Sequence, residues 1–146
     1  KCKRRYGIDI NVDTEITVTP GATEAIFSAI TALVHAGDEV IVFEPAYDCY
    51  VPGIELQGAK AIFCQLKQDD FSIDWLDVKS KISEKTKAII INSPHNPSGT
   101  IISENDLLEL EKIVSGKNII VIINTGLKII INHYTLYRLG KKKLEI

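Results

Sequence analysis

No run of apolar residues in this chain approaches the roughly 20 needed to cross a bilayer. Its most isoleucine-rich stretch, Ile119 to Ile131, is broken by Asn124, Gly126 and Lys128. The basic first residues lead into polar sequence rather than the apolar region of a signal peptide. No membrane partner is expected, and the expected location is cytoplasmic. Cysteine is scarce: Cys2, Cys49 and Cys64 are odd in number and lack metal-ligand spacing, which fits a reducing compartment better than a disulfide framework. Charge of one sign is lacking as well. The net charge is -2, and Lys and Arg are scattered apart from Lys1 to Arg5 and Lys141 to Lys143, so no nucleic-acid surface is expected. Neither a Gly-x-Gly-x-x-Gly spacing nor a Walker sequence occurs, which argues against a nucleotide-binding domain of doubly wound type.

With 45% hydrophobic and 25% charged residues, the 146-residue chain can bury one core. Periodicity predicts alternating elements: a short strand Ile16 to Val18, a helix from Gly21 to His35, and a strand Glu39 to Phe43. A helix Tyr47 to Gln57, a strand Ala61 to Gln65 and a helix Asp74 to Ile82 follow. A strand Ala88 to Ile91 comes next, then a helix opened by a capping-box-like Ser103 and Asp106, then a strand Ile119 to Ile123. Strands of nearly all Val, Ile, Phe and Ala between helices indicate an α/β fold, a three-layer sandwich with a mostly parallel sheet covered on both faces. There is no repeat and no low-complexity linker.

Three loops at strand ends carry the chemistry. Thr19-Pro20-Gly21-Ala22-Thr23-Glu24 opens a helix with small residues, so an anion can approach the free N–H groups while the Thr23 hydroxyl adds a donor. An ordinary capped helix start explains the same residues. Glu44-Pro45-Ala46-Tyr47-Asp48-Cys49-Tyr50 presents Tyr47 where its ring can cover a flat ligand, although a core or dimer-contact tyrosine reads the same way. Asn92 to Thr100, with two prolines and a glycine, follows a buried strand, where open α/β sheets place ligands. There Asn96 precedes Pro97, and a cis bond would turn the Asn96 amide into the cleft; a plain turn is the alternative. His95 is expected to be structural or solvent-facing, since no Asp or Ser at suitable spacing completes a triad.

Val18 to Ile26, Gly37 to Ile41, Glu44 to Tyr50 and Ser93 to Thr100 together resemble the class I and II aminotransferases, fold type I enzymes dependent on pyridoxal 5'-phosphate, and within them the kynurenine and methionine aminotransferase branch. The likeness covers roughly Tyr6 to Ile123. It implies that residues 1–123 are part of a cofactor-binding large domain, leaving 124–146 as a divergent tail. It further implies that Gly21, Ala22 and Thr23 bind the cofactor phosphate, that Tyr47 stacks on the pyridine ring and that Asn96 bonds its phenolic oxygen, with Asn92 a weaker second candidate. The implied reaction moves an amino group from an amino acid of methionine, kynurenine or aromatic type to a 2-oxo acid. Relatives are usually homodimers.

Two departures from the family pattern bear on activity. The lysine that anchors the cofactor is expected about a hundred residues beyond the Asn-Pro loop, and Lys128, Lys141, Lys142 and Lys143 lack its setting, so no catalytic residue is assigned. The aspartate that keeps the pyridine nitrogen protonated is replaced by neutral Asn124, and the family's next tyrosine by Leu127, as a slipped reading frame after Ile123 would produce. The expectations are an aminotransferase core inactive as this piece, or alternatively a truncated pseudoenzyme or interaction module that retains phosphate binding. A sheet cut at this point is also expected to expose an apolar edge.

Overall fold

The computed structural model describes residues 9–126 and 129–132. Helix α1 (Ala22–Leu33), strand β1 (Glu39–Glu44), helix α2 (Tyr50–Glu55), strand β2 (Lys60–Gln65), helix α3 (Trp75–Lys81), strand β3 (Thr86–Asn92), helix α4 (Glu104–Val114), strand β4 (Ile120–Asn124) and strand β5 (Ile129–Asn132) follow in chain order. The sheet order is β2-β1-β3-β4-β5, parallel from β2 to β4 and antiparallel between β4 and β5.

Alternation along the strands builds two cores. Val40, Val42, Ala88, Ile90 and Ile122 face one way, against Ile26 and Ile30 of α1 and Ile54 of α2. Ile41, Phe43, Ile89, Ile91, Val121 and Ile123 face the other, against Val78 of α3 and Leu107, Leu110 and Ile113 of α4. Each fully buried side chain of this size contributes about 1.5 to 3 kcal/mol. Helices α1 and α2 approach closely at Gly53, where an added Cβ would lie 3.3 Å from Ile30 Cδ1. Helix α4 opens on a full capping box, Ser103 Oγ accepting from Asp106 N at 3.1 Å and Asp106 Oδ2 accepting from Ser103 N at 3.1 Å.

Three expectations need correction. Ile16 to Val18 is not a strand, and Val18 is 91% exposed, because β-branched residues make a strand only where a neighbour offers a ladder. Helix α2 begins at Tyr50, not Tyr47, with Pro52 in its first turn, where a missing N–H costs nothing. The tail contributes β5, which sets Asn124 opposite Ile129, so the sheet ends on the largely apolar Ile129–Asn132 rather than on β4.

Candidate functional site

The chain leaves β1 toward α2 on one face and leaves β3 toward α4 on the other. Because β1 and β3 are neighbours, their loops part at adjacent carboxyl ends and leave a crevice, the place where open parallel sheets bind ligands. A cavity of about 380 Å³ opens there, lined on this side by Phe43, Tyr47, Tyr50, Ile91, Asn92 and His95.

At the start of α1, Gly21 has φ 133, and a Cβ built there would meet nothing within 4 Å. No side chain caps the helix: the Thr19 hydroxyl donates to Gly21 O at 3.0 Å, as does Ala25 N at 3.2 Å, and among the described residues the amides of Ala22, Thr23 and Glu24 have no acceptor. Free N–H groups at the positive end of a helix suit an anion, worth about 0.3 to 1 kcal/mol per charge at an exposed site. Thr23 Oγ1 lies 3.1 Å from the Tyr47 hydroxyl, so the cradle and the aromatic ring are tied together. The Tyr47 ring stands edge-on to Tyr50 at 5.7 Å and 73°.

In the third loop, the surroundings of Asn92 set its amide: its oxygen accepts from Asn96 N at 2.8 Å, and its nitrogen donates to Asn124 O at 3.2 Å and Pro94 O at 3.3 Å. The Asn96–Pro97 bond is cis. Asn96 itself is exposed, and it is Asn92 that lines the cavity. His95 bridges two loops. Its Nε2 faces Pro45 O at 3.0 Å, an acceptor only, so that nitrogen carries the proton, while Nδ1 accepts from the Ser98 hydroxyl at 2.7 Å. Burial holds its pKa below the ordinary value, an effect the Pro45 carbonyl opposes.

Below the crevice lies a buried polar pair. Asn124, 4% exposed, donates from Nδ2 to the Tyr50 hydroxyl at 2.9 Å and accepts at Oδ1 from Gly126 N at 2.9 Å. Burial pushes the Tyr50 hydroxyl up to about 12, against the opposing Asn124 hydrogen bond. The Cys49 thiol is also raised, by burial first and then by the charge of Asp48, and is no nucleophile at neutral pH.

Of the residues singled out from sequence, Thr23 and Tyr47 are thus brought together beside Gly21 and Ala22, while Asn96 reaches the cavity through Asn92. Sequence reasoning missed Tyr50. It sits inside a quoted motif, but its partner is 74 residues away and no local signal points to it. No lysine lines the cavity among the described residues, and Lys128, Lys141, Lys142 and Lys143 lie outside them. Nor, among the described residues, is any helix long and apolar enough to cross a membrane, or any His, Cys, Asp and Glu cluster fit to hold a metal.

A sequence profile of the family "Aminotransferase class I and II" matches residues 1–125. The chain is 45% identical over 122 residues to methionine aminotransferase of Escherichia coli K12, covering 84% of this chain and 32% of that one. It is 40% identical over 128 residues to a probable kynurenine–oxoglutarate transaminase of Saccharomyces cerevisiae, covering 80% and 29%. A solved structure of the Escherichia coli methionine aminotransferase superposes with a TM-score of 0.82 at 44% identity, over 84% of this chain and 32% of that one. Cystalysin of Treponema denticola, whose crystal structure contains pyridoxal 5'-phosphate, superposes with a TM-score of 0.72 at 30% identity, over 82% and 31%. The chain therefore spans about a third of the length of the relatives it matches.

Proposed function

The chain belongs to the class I and II aminotransferase family, a fold type I family whose cofactor is pyridoxal 5'-phosphate, and from that premise we propose that it forms the cofactor-holding core of an aminotransferase. The joining of Thr23 to Tyr47 across the mouth of the uncapped α1 carries this reading. The amides of Ala22 and Thr23, with the Thr23 hydroxyl, hold the phosphate; Gly21 keeps a side chain out of its way. Tyr47, braced edge-on by Tyr50, lies over the ring. Asn96 offers its amide to the ring's phenolic oxygen, while Asn92, its own amide nitrogen engaged with Asn124 O and Pro94 O, holds the Asn96 backbone in place.

The bound cofactor supplies a conjugated ring that takes up electron density released at the amino acid Cα. The chain's own part is to bind and orient. Asn124 is neutral and already engaged with Tyr50 and Gly126. It places no negative charge beneath the site and cannot hold a proton on a ring nitrogen as a carboxylate would. The donor substrate is an amino acid of methionine, kynurenine or aromatic type and the acceptor a 2-oxo acid, acted on by a homodimeric whole.

With no lysine lining the cavity among the described residues, the 146-residue chain alone is expected to bind pyridoxal phosphate without sustained transamination. Incubation with amino acid, 2-oxoglutarate and cofactor tests both halves: absence of saturable cofactor absorbance overturns the binding reading, and sustained turnover overturns the inactivity.

A further inference from the structure

His95 lines the cavity, yet neither of its ring nitrogens is free for a ligand. Nε2 donates to Pro45 O at 3.0 Å, and Nδ1 accepts from the Ser98 hydroxyl at 2.7 Å. That hydroxyl is fixed in turn by Thr100, whose N–H donates to it at 3.3 Å and whose own hydroxyl lies 2.9 Å away. With both nitrogens engaged, the ring has no site left to take or give a proton in a reaction. Its part is mechanical.

The two loops that the ring joins are unequally built. The β3–α4 loop is bonded within itself and to the sheet: Ser93 N donates to Asn124 O at 2.9 Å, His95 N to Thr100 O at 2.7 Å, Gly99 N to His95 O at 2.6 Å and Ile102 N to Ser93 Oγ at 3.0 Å. The β1–α2 loop is not. Its carbonyl of Tyr47 accepts from Tyr50 N at 3.2 Å, but among the described residues the amides of Ala46, Tyr47 and Asp48 donate to nothing. Among the described residues, the bond from His95 to Pro45, two residues before Tyr47, is the hydrogen bond that ties this loop to the other. A segment with so few bonds of its own takes its position from those it has. Tyr47 is thus held at two points, at its tip by Thr23 Oγ1 at 3.1 Å and at its root through Pro45 and His95.

We propose that His95 is a positioning residue, which pins the sparsely bonded β1–α2 loop to the well-bonded β3–α4 loop and so sets the height at which the Tyr47 ring meets a cofactor seated on α1. The inference rests on the aminotransferase reading of the site. His95 touches no reacting atom. The start of α1 and Asn96, whose N–H is held by Asn92 at 2.8 Å, keep their supports without the ring. Loss of His95 is therefore felt at the stacking contact and not at the phosphate.

The unliganded 146-residue chain tests the first link. In amide NMR spectra, His95→Ala should shift the signals of Ala46, Tyr47 and Asp48 and leave that of Ala22 in place. Affinity of His95→Ala for pyridoxal phosphate, read by absorbance, should fall about fivefold, within the worth of one net hydrogen bond. Affinity for inorganic phosphate, read at the Ala22 amide, should stay as it is. His95→Gln, whose amide can donate to the same carbonyl, should restore most of the loss. In a Tyr47→Ala background, His95→Ala should cost nothing further, because it acts through the ring of Tyr47. Ser98→Ala, which frees the imidazole without removing it, should give the same pattern at smaller size, and it decides the matter where His95→Ala does not fold. Unmoved loop signals, an unchanged cofactor affinity, a parallel fall in phosphate affinity, or an undiminished loss without Tyr47 each overturn the proposal. Saturable cofactor absorbance that these variants leave unaltered sinks the role of His95 alone, whereas a native chain with no saturable cofactor absorbance sinks the aminotransferase reading and the role with it.

Discussion

The Tyr50 hydroxyl and the Asn124 amide, 74 residues apart in the chain, meet at 2.9 Å beneath the cavity and tie the start of α2 to the end of β4. Tyr50→Phe leaves Asn124 Nδ2 buried without its acceptor. It is expected to lower unfolding free energy by about 1 to 3 kcal/mol in denaturant titrations, and the double variant Tyr50→Phe/Asn124→Leu to recover part of the loss.

The same hydroxyl makes the fold sensitive to alkali. Its pKa is raised from 10.0 to about 12 in the folded state, so the folded chain holds a proton there that the unfolded chain gives up. The stability this contributes is complete below pH 10 and is lost as pH rises through 12, about 2 to 3 kcal/mol in all. Unfolding midpoints measured across that window should fall in the native chain and fall much less in Tyr50→Phe.

His95 gives the opposite slope in acid. Its folded-state pKa lies below the ordinary 6.5, so the unfolded state binds the proton more readily. The contribution is present above pH 6.5 and is lost as pH falls through the depressed value. Protonation also puts a hydrogen on Nδ1, which now accepts from Ser98. His95→Gln should flatten the pH dependence of unfolding in this range; an unchanged slope would mean that another group sets it.

Gly21 holds φ 133 at the mouth of α1. Gly21→Ala adds a Cβ that clashes with nothing, so the penalty is conformational alone, about 1 to 3 kcal/mol. Because relief of that strain moves the Ala22 and Thr23 amides, affinity for pyridoxal phosphate, read by absorbance, should drop by more than the stability loss explains.

Tyr47→Phe and Tyr47→Ala separate two roles of one side chain. The first removes only the bond to Thr23 and is expected to weaken cofactor binding by a factor of a few. The second also removes the ring, about 0.5 to 1.5 kcal/mol beyond its buried area, and should cost roughly tenfold more. Equal affinities for both variants would place the ring away from the cofactor.

How much of this was legible in sequence depends on range. Elements with a strong local signature were found within a residue or two: Ser103 with Asp106 marks the start of α4, and Thr86–Asn92 reads as buried strand because both of its faces are covered. The Thr19 to Glu24 turn and Tyr47 could be singled out because helix starts and loop aromatics carry their chemistry in neighbouring residues. Ile16 to Val18 failed because strand formation depends on a partner, and β5 was missed for the same reason, its pairing with β4 being invisible before the sheet exists. Tyr50 and Asn92 went unweighted or underweighted because their meaning lies in groups brought near them by distant segments.

Thr23, Tyr47 and Asn92 are set by α1, β1 and β3, elements with no reason to be neighbours until the parallel sheet has closed. A molecule lodged between them therefore acts as a brace on the whole assembly, and its grip is forfeited whenever the strands part. The melting temperature should climb with the logarithm of its concentration, by about 2.7 kcal/mol of added stability at a hundred times its dissociation constant, so that heat resistance doubles as a gauge of occupancy.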